Sequence, residues 1–294
     1  MDTFYQVKNI LAHFSSGKND KKYLDIFKKL KPLIIERIQT VLINRRIRQT
    51  GRPITTNFDQ LLDALFFLCD TGAQTHYVTE HYGISKGTFY RYLKMLTEYH
   101  ILEDLYQQII VGIPLTKELI TDTFTVKSMR GSHGLGRNPN DRGRQGLKVS
   151  IICDTNRITR AIHIGPANTH DSKLLLPTIK QQKGLKSIQK PIKCLCDAGY
   201  VGRQLANDCQ KENISLVVKQ KKVGKNGCLS HQLNHHDQIV LDKYRNRIEL
   251  LNGNIRRFRG LMMKWVTNIS TYQCFLYVSL LCITCYQMVV NRSG

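Results

Sequence analysis

KELITDTFTVKSMRGSHGLGRNPNDRGRQGLKVSIICD, residues 117–154, decides the fold of this chain. It reads as a strand carrying Asp122, a loop rich in Gly, Asn and Arg, and a second strand from Leu147 to Cys153. Period-two alternation along Ile120, Asp122, Phe124 and Val126 sets the carboxylate on the same face as three apolar side chains. A charge on such a face needs a partner, because burying it alone costs several kcal/mol or drives it to neutralise. An Arg would make Asp122 structural. A metal ion would make the strand the floor of a reaction site.

Working outward, the strands continue at 158–165, 191–197 and 214–220, with helices between them at about 172–182 and 203–213. Asp154-Thr155-Asn156 is the turn of a hairpin. Three strands in succession followed by an α/β run is the order of a ribonuclease H-like mixed sheet with flanking helices. Upstream the pattern is all helical. Residues 1–56 form a basic helical segment closing on NRRIRQTGRP, 44–53. From Asn57, a cap for FDQLLDALFFLCDT, a helix runs to Gly72. A short helix at 76–82, the turn Gly83-Ile84, and a helix capped by Ser85 follow. Helix, glycine turn, helix is the helix-turn-helix pattern, whose second helix enters the major groove. Lys86, Arg91 and Lys94 give that helix positive charge, and Thr88, Tyr90 and Tyr92 offer further contacts. Three regions are therefore expected: 1–56, a DNA-binding region at 57–112, and an α/β domain with C-terminal helices at 113–294.

Composition points the same way. Lys and Arg number 44 against 22 Asp and Glu, a formal charge of +22, so the default partner is a polyanion, nucleic acid before membrane. Nine irregularly spaced cysteines argue against a secreted disulfide framework. The start, MDTFYQVKNI, lacks the apolar run of a signal peptide. A reducing intracellular compartment is expected: the bacterial nucleoid, or the nucleus in a eukaryotic host. CFLYVSLLCITCYQMVV, 274–290, falls short of the ~20 residues of a membrane span and carries Ser279, Thr284 and Gln287, so a buried helix is expected. Cys228, His231, His235 and His236 fit no standard zinc spacing.

Few acids stand where chemistry needs them. Asp154 is a turn residue, Asp171 is placed to cap a helix, Asp208 and Glu212 face water, and Asp141 and Asp237 lie in loops. Asp197 differs: it ends a strand and precedes Ala-Gly-Tyr, the position where α/β sheets bind ligands, although a helix cap is the plain alternative. In LDKYRNRIELLNGNIRRFRG, Ile248, Leu251, Ile255 and Phe258 make an apolar stripe with Arg245, Glu249 and Arg256 beside it. Such charges often form surface ion pairs of little worth. Equally, the glutamate could hold a metal while the arginines grip phosphates. Three carboxylates on two strands and a later helix suit two-metal phosphoryl transfer, which needs hard oxygen ligands and no protein nucleophile.

These motifs resemble the DDE transposases of bacterial insertion sequences, the group typified by insertion sequence five. The resemblance rests on ITDTFTVKS at 120–128, RGRQGLKVSIICD at 142–154, GPANTHDSKLLLP at 165–177, CDAGY at 196–200, and the spacing of Arg245, Glu249 and Arg256. It implies a ribonuclease H-like core with Asp122, Asp197 and Glu249 as metal-binding triad. It further implies Mg²⁺, or Mn²⁺ in its place, with double-stranded DNA partners (terminal inverted repeats and target) and a homo-oligomeric synaptic complex. Arg142 and Arg144 in the basic loop become candidate DNA contacts. Two departures concern strand handling. Relatives place a tyrosine three residues before the last motif's arginine, where this chain has Asp242 and a displaced Tyr244; and Arg256 replaces a frequent Lys. The alternative functions are a DNA-binding protein derived from a transposase, acting without catalysis, and a ribonuclease H-fold nuclease.

Overall fold

The structure, a computed structural model, describes residues 2–12, 22–46, 56–131, 133–181, 191–223, 228–229, 232–264 and 268–291. The chain forms two units: one of residues 1–113, 129–133 and 255–294, the other of 114–128 and 134–254.

The first unit is helical: α1 (Thr3–Ile10), α2 (Lys22–Arg46), α3 (Phe58–Thr71), α4 (Thr75–His81), α5 (Lys86–Glu98) and α6 (Ile101–Val111). Local chemistry sets the boundaries where the sequence marks them. Asn57 Oδ1 accepts from the N–H groups of Asp59 and Gln60, and Gly72 ends α3 at φ 68°. Gly83, at φ 62°, makes the turn between α4 and α5, and Ser85 Oγ accepts the Thr88 N–H at 3.1 Å. A side chain at either glycine would sit in the left-handed region that L residues avoid. The arginine side chains of the basic run 44–53 lie outside the described residues.

The C-terminal helices of this unit are α11 (Arg259–Met262) and α12 (Ile269–Val290). The sequence reading grouped them with the α/β region, yet α12 packs against α2, α3, α5 and α6. By length and hydropathy α12 could cross a membrane: it is 22 residues long, five more than the apolar run suggested. Burial accounts for that composition. Of its most apolar window, 83% is buried among the other helices, and a helix apolar all round is a core helix when it is covered all round. Cys274, Cys282 and Cys285 are core residues on it, and every cysteine whose side chain is described is buried and without a disulfide.

The second unit is α/β. Strands β1 (Glu118–Ser128), β2 (Gly136–Asn138), β3 (Arg144–Asp154), β4 (Thr159–Pro166), β5 (Ile192–Cys196) and β6 (Ile214–Val218) form one sheet. Its order is β2–β3–β1–β5–β6, with β4 also on β3. β1, β3 and β4 are antiparallel, whereas β5 and β6 are parallel to β1. That is the ribonuclease H-like order. Helices α7 (Asp171–Gln181) and α8 (Arg203–Lys211) make the crossovers. They bury one sheet face, where Leu119, Ile152, Leu175, Ile179, Cys194, Cys196 and Ile214 pack together. The apolar area removed from water there stabilises by about 25 cal/mol per Å². Beyond the sheet come α9 (His235–Tyr244) and α10 (Asn246–Arg256).

Some expectations change. The stretch between β1 and β3 is only partly loop: β2 pairs with residues 144–146, and Pro139–Asp141 is a 3₁₀ turn. The repeated Gly, Asn and Arg masked a short hairpin, since a three-residue strand leaves too little alternation to read. Asp237 is not in a loop; it lies in the first turn of α9, where its Oδ1 meets Lys193 Nζ at 2.6 Å. Asp171 lies inside the first turn of α7, and its Oδ1 accepts from Thr123 Oγ1 and Lys148 Nζ at 2.9 and 2.8 Å. Tyr92 is 6% exposed and packs edge-on against Phe58, so it is core. Cys228 and His231 fall outside the described side chains.

Candidate active site

Strand register brings the first two candidate carboxylates together. Ile120 on β1 lies opposite Leu195 on parallel β5. Two residues further along both strands come Asp122 and Asp197, on the same side as that pair because side chains alternate. β5 stops at Cys196, and Asp197 continues in extended backbone, φ −70° and ψ 165°, before a 3₁₀ turn. Its side chain makes no helix-cap hydrogen bond. The third carboxylate arrives on α10. Ile120, Asp122, Leu195, Asp197, Leu241, Arg245, Ile248 and Glu249 line one cleft. The buried half of the α10 stripe, Ile248 and Leu251, presents Glu249 at its edge.

The three acids sit in different surroundings. Asp122 is the enclosed one: its Oδ1 accepts the Thr123 N–H at 2.8 Å, and its Oδ2 accepts Asn252 Nδ2 at 2.8 Å. Burial, with the negative charges of Asp197, Asp171 and Glu249 adding to it, pushes its pKa up to about 6, against the Thr123 N–H, which favours the ionised form. Asp197 is half exposed and paired with Arg245, whose Nη2 lies 3.1 Å from Oδ1 and 3.4 Å from Oδ2. Glu249 is exposed. Asp122 therefore has no arginine; that partner went to Asp197 and, at the hairpin, to Asp154.

For a divalent ion the donor chemistry fits. Carboxylates and an amide oxygen are hard ligands, and like charges crowding a desolvated aspartate are relieved by a cation. Asn252 adds a second sign: its Oδ1 is buried with no hydrogen-bond partner. Among the described residues, however, no three His, Cys, Asp or Glu side chains are already gathered as an ion's ligand set. The three line one cleft while Asp197 is engaged by Arg245.

The remaining candidates lie elsewhere. Lys86, Arg91 and Lys94 are exposed along α5, Lys94 with an i,i+4 pair to Glu98 at 3.4 Å. Tyr90 is at the surface, its hydroxyl donating to Thr75 Oγ1 at 3.1 Å, and Thr88 Oγ1 bonds with Ser85 Oγ. Arg142 and Arg144 are exposed at the β2–β3 hairpin, Arg144 within 4.0 Å of Asp141. Arg256 is exposed at the end of α10, in the helical unit. Sequence reasoning missed Asn252. Its one signal was a polar residue three positions after Glu249 on an apolar helix stripe.

A ribonuclease H-like sheet with an aspartate on its first strand, an aspartate at the end of a neighbouring strand and a glutamate on a later helix defines a class of phosphoryl-transfer enzymes. Residues 114–285 match the family described as Transposase DDE domain, and the chain belongs to that family; it is a DDE-type DNA transposase that works with divalent metal. It is 27% identical, over 169 residues, to the Burkholderia cepacia protein named "Putative transposase for insertion sequence element IS402", covering 55% of this chain and 74% of that one. Among solved structures it is similar to the piggyBac transposase synaptic complex with hairpin DNA. There the TM-score is 0.46 and the identity 11%, over 99% of this chain and 71% of that one. It is also similar to the Mos1 strand transfer complex, with TM-score 0.32 and 11% identity over 84% and 81%.

Proposed function

We propose that this transposase binds the terminal inverted repeats of its own element, cleaves the strands there in a Mg²⁺-dependent reaction, and joins the 3′ ends to target DNA. The carrying observation is the convergence of Asp122, Asp197 and Glu249 on one cleft whose enclosed aspartate is burdened by the others' charge. Those three residues would hold the metal, with Mn²⁺ as a substitute. A bound divalent cation supplies Lewis acidity, generating the attacking hydroxyl oxygen near neutral pH and offsetting charge on the leaving 3′ oxygen.

The chain's own residues do the rest. Thr123 N–H holds one oxygen of Asp122 and keeps the group acceptor-only on that side. Arg245 neutralises Asp197 until a cation takes over that charge; the freed guanidinium, 38% exposed, then faces the phosphodiester. Lys86, Arg91 and Lys94 on α5 read or grip the repeat, and Arg256 adds a phosphate contact. Arg142 and Arg144 on the hairpin hold the backbone, and charge reversal at both lowers DNA affinity about tenfold and reduces its salt slope by 1–2, by roughly the charge removed. An unchanged slope would remove the hairpin from the DNA surface. Two element ends must be held together for joining, so the working form is a homo-oligomeric synaptic complex at the bacterial nucleoid, or in the nucleus of a eukaryotic host.

The test is incubation of purified chain with DNA carrying the inverted repeats that flank its gene. Nicks at the repeat ends with Mg²⁺, followed by joined 3′ ends, are expected. A chain that shifts that DNA yet never nicks it with Mg²⁺ or Mn²⁺ is a DNA-binding protein without catalysis. One that cuts without needing repeat ends is a nuclease.

A further inference from the structure

Asn252 is the buried polar residue of the cleft whose hydrogen bonding is incomplete. It stands on α10 three residues after Glu249, so the two side chains lie on neighbouring positions of one helix face. Only 6% of it is exposed. Its Nδ2 donates to Asp122 Oδ2 at 2.8 Å. Its Oδ1 has no partner. The reverse amide orientation would bring two acceptors face to face, so the network itself fixes which atom is nitrogen. Asparagine is also a mediocre helix former, and a buried, unsatisfied amide oxygen is a cost that folding alone does not explain.

A hard oxygen, neutral and fixed beside Asp122 on the helix that carries Glu249, is a cation ligand in waiting. We propose that Asn252 is a fourth residue of the metal site: Nδ2 orients Asp122, and Oδ1 ligates the cation that Asp122 and Glu249 hold. This rests on the reading of Asp122, Asp197 and Glu249 as the metal-binding acids. A simple clamp on Asp122 would use the nitrogen alone and leave the oxygen idle.

Mn²⁺ binding to the full-length chain without DNA, measured by titration calorimetry, separates these roles. Asn252→Ala weakens Mn²⁺ binding at least tenfold, the loss typical of a ligand or its close support. Asn252→Asp, nearly the same shape, keeps an oxygen and loses the donor; it binds Mn²⁺ within threefold of the parent or more tightly, and its thermal midpoint rises on adding Mn²⁺ at least as much. Parent-like Mn²⁺ affinity in Asn252→Ala overturns the proposal. So does a loss in Asn252→Asp as large as in Asn252→Ala, which would leave a clamp only. Should the alanine variant not fold, the aspartate variant decides by the same criterion: retained affinity supports ligation and lost affinity refutes it. Asp122→Asn run alongside guards the premise. If it binds Mn²⁺ like the parent, the acidic site itself is misassigned; if it loses binding while Asn252→Ala does not, only the role of Asn252 fails.

Discussion

Asp122→Asn, Asp197→Asn and Glu249→Gln each lower strand cleavage on the order of 10³-fold or more, about 4 kcal/mol of barrier, while repeat-end binding stays within a few-fold of the parent. Each substitution removes one hard, charged ligand and leaves volume unchanged, so the loss falls on the reaction and spares folding. Cleavage assays beside gel-shift titrations check it, and unimpaired strand transfer in any of the three sinks the assignment. Asp122→Asn carries a second expectation, with a definite sign. The Asp122 pKa is raised to about 6 in the fold, so its contribution to stability is full below the unfolded value near 4 and is lost as pH rises through 6. In metal-free buffer at pH 7.5 the variant is therefore more stable than the parent, by about 1–3 kcal/mol, and the difference vanishes below about pH 4. Denaturant unfolding across that range measures it. A catalytic aspartate that destabilises its own fold when empty is the signature of a site built for a cation.

Asp154→Ala costs about 3–5 kcal/mol, the second large effect. Asp154 is fully buried, and one oxygen accepts the N–H groups of Asn156 and Ile158 at 2.9 and 3.0 Å, closing the β3–β4 turn. Its other oxygen takes Arg160 Nε and Nη2 at 2.9 and 2.6 Å, and Arg160 is 4% exposed. Alanine leaves that guanidinium buried without its carboxylate, although Nη2 still donates to the Pro114 carbonyl. Removing both partners by adding Arg160→Met restores part of the loss, since no charge is then stranded. Urea midpoints of the two single variants and the double form the cycle. Additive losses would show that the pair is not coupled.

Both aspartates sit on strands and both read as acids in need of explanation, yet their fates differ. The turn signature Asp-Thr-Asn placed Asp154 correctly, because Asx turns are local and their chemistry is written within four residues. Arg160 as its partner lay six residues away across a turn whose register the pattern did not specify. The strands and helices from 118 to 218 were legible for the same local reason: alternation and caps are short-range, and their boundaries fall within a few residues of the observed ones. The β2 hairpin was too short to alternate, and Asp237 and Asp171 were misread because their partners, Lys193, Lys148 and Thr123, come from other strands.

The sequence by itself determined the order of elements, the buried faces of β1 and α10, the excess positive charge and the three acids, since each follows from residue type and spacing along one chain. Only the tertiary structure decided which charges meet. It gave Arg245 to Asp197, left Asp122 without an arginine but crowded by like charge, and swung Asn252 against it with an amide oxygen to spare. Coulomb energies and desolvation depend on distances across the fold, and 130 residues separate Asp122 from Asn252 in sequence while 2.8 Å separate them in space.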